Sequence, residues 1–249
     1  MFNYFFGSDK RSIDYLKIIY KNNSKLTVVT LPHKPSGRGR KLKPNPVEEF
    51  CINNDIQYKY YQPESVYENM SAGLCVSFGL IFSNRFLKNN NPIYNLHLSL
   101  LPKFRGPSPV ESLILNNSKL AGFSIFRVNS EIDKGLLYFQ DSFPITSETY
   151  ASDIYDKVCL IFESKYEEIL NCIGKNHIQN KSTSSVTSKF IKSDYNLIDK
   201  KLDTAKKMIR AFDVIGPAFI KHNDQVFKIH KYTENVNEFP IELTDGMLY

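Results

Sequence analysis

The chain has 249 residues, 42% of them hydrophobic, enough to bury one sizeable core with a small appendage. No apolar run approaches the roughly 20 residues a membrane helix needs, and the start MFNYFFGSDK lacks the basic-then-apolar layout of a secretion signal, so the expectation is a cytoplasmic protein with no membrane partner. The formal charge of +6 admits an anionic partner without naming one, and Cys51, Cys75, Cys159 and Cys172 form no C-x-x-C pair, which points to buried thiols rather than disulfides or a metal site.

Taken in chain order, the pattern alternates strands and helices. Tyr4 to Gly7, YFFG, reads as a short apolar strand ended by glycine, after which Ser8 can cap a helix with Ile13, Leu16 and Tyr20 on one face. Lys25 to Pro32, KLTVVTLP, is a β-branched strand stopped by proline. His33 to Pro46, HKPSGRGRKLKPNP, sets Lys34, Arg38, Arg40, Lys41 and Lys43 among Gly and Pro without an apolar period, and predicts an exposed, mobile basic loop. NPVEEFCINN reads as a helix, and AGLCVSFGLIF, Ala72 to Phe82, holds a buried strand breaking at Gly79. IYNLHLS is the next strand, SPVESLILNN a short helix, and AGFSIFRV and LLYFQDSFPI two further strands. The order β-α-β-α-β-α-β predicts an α/β fold with a Rossmann-like, doubly wound, mostly parallel sheet. Such sheets take ligands beyond the carboxyl ends of their strands.

From Ser147 to about Asn176 the pattern turns helical, with Ile154, Val158, Ile161, Phe162, Ile169 and Ile173 on one stripe. NHIQNKSTSSVTSK then reads as a polar connector. The expected division is a catalytic domain over 1–180, a linker near 176–190 and a small β-rich domain over 190–249. The latter holds one helix around LDTAKKMIRAFD and strand-like pieces QVFKIHKY and PIELTDGMLY. So small a unit should pack on the first domain or on another subunit.

Chemistry concentrates in Asn95 to Pro109, NLHLSLLPKFRGPSP. Strict alternation puts Asn95, His97 and Ser99 on one strand face and Leu96 and Leu98 on the other. A lone histidine on a strand reads as structural. Here an amide donor shares its face, and an acid, Asp133, precedes Gly135 in NSEIDKGLL, a turn between two strands. Amide, imidazole and carboxylate together suit attack of an amine on an acyl carbon. The amide donates to the developing oxyanion, the imidazole accepts the amine proton, and the carboxylate orients the imidazole. Ser99 either binds ligand or caps the turn, and Gly79 and Gly122 read as places of close backbone approach.

NLHLSLLPKFRGPSP resembles the folate-dependent formyltransferase signature N-x-H-x-S-L-L-P-x-aromatic-R-G at each specified position, and EIDKG is similar to that family's D-x-G turn. VVTLPHKPSGRGRKLKPNPVEEF is similar to the T-x-P-x-K-P-x-G-R-G-K-K-L-x-P-x-P-V segment of methionyl-tRNA formyltransferases. SFGLIF falls where the family has an aromatic residue, a glycine and then apolar residues along the folate pocket. The resemblance covers about residues 1 to 180. It implies 10-formyltetrahydrofolate as cosubstrate, Asn95, His97 and Asp133 as the catalytic trio, and Phe78, Gly79, Leu80, Ile81 and Asp133 as folate-binding residues.

It leaves the acceptor open. The basic loop argues for transfer RNA, whose phosphates it could neutralise. The C-terminus argues for a nucleotide-linked, dTDP-type 4-amino sugar destined for surface polysaccharide such as O-antigen. Methionyl-tRNA formyltransferases resemble one another in carrying a complete barrel after the linker, whereas residues 190–249 look like a truncated one, similar to the dimerisation hairpin of sugar N-formyltransferases. The sequence leads to the sugar enzyme first, as a homodimer through its C-terminal region, and the tRNA enzyme second; a non-catalytic binding module is weak because the trio is intact. Glycinamide ribonucleotide is disfavoured by RGPSPVESLIL and its Pro109. Under the sugar reading Ser99, Lys103, Arg105 and Pro109 are the acceptor-side residues, the two cations placed to hold a diphosphate.

Overall fold

A computed structural model describes residues 1–36, 41–90, 92–179, 181–222, 225–233 and 241–248. It contains a seven-stranded sheet and three two-stranded ones. The first strand, β1 (Tyr4–Phe6), is wholly buried, and the chain then enters α1 (Ile13–Asn22), which buries Tyr15, Leu16, Ile18 and Ile19. Ser8 does not cap this helix, contrary to expectation. Asp9, with a longer acceptor side chain, caps the turn Lys10–Ser12 that leads into it, and the Ser8 hydroxyl donates to the Phe78 carbonyl at 2.7 Å.

After β2 (Thr27–Thr30) the basic segment forms a hairpin rather than a loop: β3 (Lys34–Ser36) pairs antiparallel with β4 (Lys41–Lys43). Main-chain hydrogen bonds make this pairing, so no apolar side-chain period is needed to announce it. Arg38 and Arg40 lie outside the described residues. Helix α2 (Pro46–Asn53) begins where Asn45 accepts from the Val47 and Glu48 backbone N–H groups, with proline in the first turn.

An unexpected edge strand, β5 (Tyr58–Tyr60), follows, then β6 (Gly73–Cys75). This strand ends at Cys75, short of the expected break at Gly79, because Ser77 (φ +45°) and Gly79 (φ +77°) turn the backbone left-handed. Helix α3 (Asn84–Asn89), capped by Ser83 and also unexpected, leads to β7 (Ile93–His97). Then come α4 (Pro109–Leu115), β8 (Leu120–Arg127) and β9 (Leu137–Pro144). The long helical stretch is two helices, α5 (Ala151–Ser164) and α6 (Tyr166–Cys172), separated at Lys165. Helix α7 (Leu202–Phe212) precedes β10 (Ala218–His222), β11 (Gln225–Ile229), β12 (Ile241–Leu243) and β13 (Gly246–Leu248).

The large sheet runs β5-β2-β1-β6-β7-β8-β9. From β5 to β7 every pairing is parallel, whereas β8 lies antiparallel to β7. This is the Rossmann-like α/β architecture expected, with a reversed strand beside β7. The carboxyl ends of β1, β2, β5, β6 and β7 therefore share one edge of the sheet.

Two units make up the chain, one of residues 1–97, 123–141 and 159–183, the other of 98–122, 142–158 and 184–249. In the first, an aromatic cluster fills the core: the Phe82 ring stacks on Phe78 at 5.4 Å and on Phe86 at 5.1 Å, with Phe6 and Tyr61 edge-on. Rings in these arrangements contribute beyond their buried area. In the second, α7 sets Phe212 against Phe190 and Tyr195, and β10–β11 and β12–β13 form two antiparallel hairpins. No helix among the described residues is long and apolar enough to cross a membrane.

Candidate active site

Strand β7 presents Asn95 and His97 on one face and Leu96 on the other, as period-two alternation requires. Its neighbours fix the register: Cys75 of β6 stands opposite Asn95, and Phe126 and Ser124 of β8 stand opposite Asn95 and His97. Asn95 is half-buried and His97 is 6% exposed. Ser99 lies beyond the strand end, and its hydroxyl donates to the Lys103 carbonyl at 2.7 Å, so the alternation stops at His97 and Ser99 closes a turn.

Asp133 reaches this face from the turn between β8 and β9. Its Oδ2 is 3.6 Å from His97 Nδ1, within ion-pair range, and both side chains are largely buried. The turn is unusual in its backbone. Asp133 has φ +52°, which costs a non-glycine residue about 1–2 kcal/mol. Gly135 packs so closely on β8 that a Cβ there would fall on the Arg127 carbonyl. The glycine of the D-x-G pattern is thus required by the close approach of the turn to β8.

A cleft of about 110 Å³ is lined by Asn95 and Asp133 together with Leu80, Ile81, Phe82 and Cys75. Leu80 and Ile81 are 41% and 68% exposed, an apolar ledge at its edge. Phe78 does not line it; its side chain is packed in the aromatic cluster, while Gly79 supplies the turn that presents Leu80 and Ile81. A larger cavity of about 450 Å³ shares Val128 and Asn129 with the cleft but is lined by none of Asn95, His97 and Asp133. Of the two, the smaller is the one lined by Asn95 and Asp133, and His97 lines neither.

Burial pushes the Cys75 thiol up to about 12, the negative charge of Asp133 acts in the same sense, and a backbone hydrogen bond at Phe78 opposes both. Cys75 stays a neutral thiol at physiological pH, which argues against thiolate chemistry here. Among the described residues no cluster of His, Cys, Asp and Glu could hold a metal ion.

The acceptor-side candidates belong to the second unit. Arg105 is 6% exposed, and its backbone is stitched to Ser185 and Thr187 by hydrogen bonds of 2.9 and 2.7 Å. Lys103 is exposed, and Pro109 opens α4 behind Ser108, whose φ is +55°. Sequence reading missed two residues of the first unit. Ser8 ties the end of β1 to Phe78 at the root of the Leu80–Ile81 ledge, and Gln179 reaches the Asp133 turn from the polar stretch after α6. No motif distinguishes either one.

A family model described as formyl transferase matches residues 8–166, which include Asn95, His97 and Asp133. The chain belongs to the formyl transferase family. This formyltransferase is 31% identical over 224 residues to a methionyl-tRNA formyltransferase of Thermosipho africanus, covering 85% of this chain and 72% of that one. Among solved structures it resembles an N-formyltransferase of Helicobacter canadensis, solved with folinic acid and dTDP-3-aminofucose, at a TM-score of 0.68 and 22% identity over 100% of this chain and 98% of that one. It also resembles a methionyl-tRNA formyltransferase of Clostridium thermocellum, at a TM-score of 0.65 and 18% identity over 94% of each. At these identities the two structures establish the fold.

Proposed function

We propose that the enzyme moves the formyl group of 10-formyltetrahydrofolate to the primary amine of a nucleotide-linked amino sugar, with Asn95, His97 and Asp133 as the reacting side chains. What supports the choice of acceptor is the structural likeness to an enzyme solved with folinic acid and dTDP-3-aminofucose, at a TM-score of 0.68 against 0.65 for the Clostridium thermocellum methionyl-tRNA enzyme. The cleft suits the donor: an apolar ledge for a flat heteroaromatic ring, with an amide and a carboxylate beside it.

The residues divide the work. An acceptor amine arrives as ammonium and must lose a proton before it can attack. His97 accepts that proton, and the nearby Asp133 carboxylate stabilises the imidazolium. As the neutral amine adds to the formyl carbon, the carbonyl oxygen gains negative charge and the Asn95 amide donates to it. When the carbon–nitrogen bond to the folate breaks, the proton held by His97 returns to the departing nitrogen. The nitrogen that has added sheds its second proton to solvent as the amide forms, so the acceptor ammonium and the donor give an N-formylated acceptor, tetrahydrofolate and one proton.

Methionyl-tRNA is the second reading, favoured by the identity to the Thermosipho africanus relative and by the basic composition of residues 34–43. Both acceptors are separated by incubating the enzyme and donor with dTDP-, UDP- and GDP-linked amino sugars and, in parallel, with charged initiator methionyl-tRNA, following tetrahydrofolate release and acceptor mass. A gain of one formyl group on a sugar, with none on the tRNA, is the expected result. Formylation of the tRNA alone removes the sugar reading.

Residues 190–249 belong to the same proposal as a dimerisation element. Phe227 of β11 is 46% exposed on one face of the β10–β11 sheet, a face that a second copy would cover. Sedimentation velocity should give a dimer that Phe227→Asp weakens; a wild-type monomer at micromolar concentration rules the element out.

A further inference from the structure

The Asp133 turn is held from outside itself. Gln179 lies in the polar stretch after α6 and is only 5% exposed. Its side-chain amide donates one hydrogen to the Asp133 carbonyl at 2.9 Å and the other to the Gly135 carbonyl at 2.8 Å, bridging the turn across Lys134. The segment is fixed just upstream, where His177 and Leu137 exchange backbone hydrogen bonds of 2.9 Å in both directions. A primary amide suits the task because one nitrogen carries two hydrogens that diverge, and it brings no charge near a working carboxylate.

We infer that Gln179 is a positioning residue for Asp133. The left-handed backbone at Asp133 is unfavourable by itself and persists where its surroundings over-determine it. Gln179 supplies that constraint, satisfying two carbonyls that the turn aims at the connector, and so fixes the direction in which the Asp133 carboxylate faces His97. Gly135, barred from carrying a side chain by the Arg127 carbonyl, fixes the other end of the turn. The inference rests on Asp133 and His97 being the reacting pair.

The test is a double-mutant cycle on the full-length enzyme. Gln179→Met keeps the length and removes both donors; Gln179→Glu keeps the shape and serves as the second variant should the first not fold, with thermal melting as the check on folding. Each is combined with Asp133→Asn, reading kcat and the KM for 10-formyltetrahydrofolate. Gln179→Met alone should lower kcat by about tenfold or more while moving KM less than about threefold, as misplacing a catalytic group does. In the Asp133→Asn background the same change should cost less than about twofold, because the turn no longer aims a charge at His97. Equal losses in both backgrounds, or a Gln179→Met enzyme within about twofold of wild type, overturn the inference. Should Asp133→Asn alone turn over at the wild-type rate, the catalytic reading of Asp133 falls with it, and that outcome is distinct from additive losses in an already impaired Asp133→Asn enzyme.

Discussion

His97→Ala and Asn95→Ala should each lower kcat by about a hundredfold or more, with the protein still folded. The two losses have different origins. Asn95 is half-buried in the middle of β7 and lines the cleft with Asp133, and in the proposed mechanism its amide donates to an oxygen that carries charge only as the amine adds. Removing it takes away stabilisation that exists in the transition state and is absent from the bound ground state, so kcat falls with little change in KM. His97 is 6% exposed beside Asp133, and its loss leaves the acceptor ammonium with no protein base. That deficit should shrink as pH rises, because more of the acceptor is then already neutral, whereas the Asn95→Ala deficit should not. Steady-state kinetics of both variants against pH separate the roles. Turnover within a few-fold of wild type in either variant removes that residue from the mechanism.

Glu48→Gln should lower stability by about 3 kcal/mol at neutral pH, a fall of roughly 6–12 °C in melting temperature for a chain of this size. Glu48, in the first turn of α2, is 1% exposed, and a single carboxylate oxygen receives the Tyr60 and Tyr58 hydroxyls at 2.5 and 3.0 Å and faces His33 Nε2 at 2.6 Å. Burial alone would push this carboxyl up, but the hydrogen bonds from Tyr60, His33 and Tyr58 outweigh it and hold it below its ordinary value. The native state therefore binds the proton less readily than the unfolded chain does. The stabilisation is fully present above the ordinary carboxylate pKa, near 4.3, and is lost as pH falls through the lower native value. Wild type and Glu48→Gln should thus differ by the full amount above the ordinary carboxylate pKa, and the difference should narrow as pH falls through the lower native value. Equal melting temperatures at pH 7 would show that the cluster contributes nothing. His33 directly precedes the basic hairpin, so the same cluster fastens the hairpin to α2 and β5.

Much of this was written in local patterns, and the exceptions share a cause. Strands β1, β2 and β7 are legible because buried apolar side chains repeat in place, and α2 because Asn45–Pro46 is a start signal that the structure uses literally. The face shared by Asn95 and His97 follows from period two alone. What the residues did not announce depends on main-chain or long-range hydrogen bonds. The 34–43 hairpin is held by backbone pairing, and β6 stops at Cys75 because two left-handed residues follow it. Ser8 looked like a cap, but its hydroxyl goes to a carbonyl 70 positions away. Gln179 sits in a run of polar residues with the composition of a linker, and its function depends on a turn that lies 46 positions earlier. Phe78 matches the expected motif position, yet its side chain goes inward, where its ring packs against those of Phe6, Tyr61 and Phe82.

A crystal structure of the enzyme with 5-formyltetrahydrofolate and dTDP tests the central claim most directly. The expected density has the pterin against Leu80, Ile81 and Phe82, with the donor nitrogen and formyl region within hydrogen-bonding reach of Asn95 and close to His97. A folate bound away from this cleft, or one whose formyl region faces away from Asn95 and His97, would contradict the assignment of both the site and the mechanism.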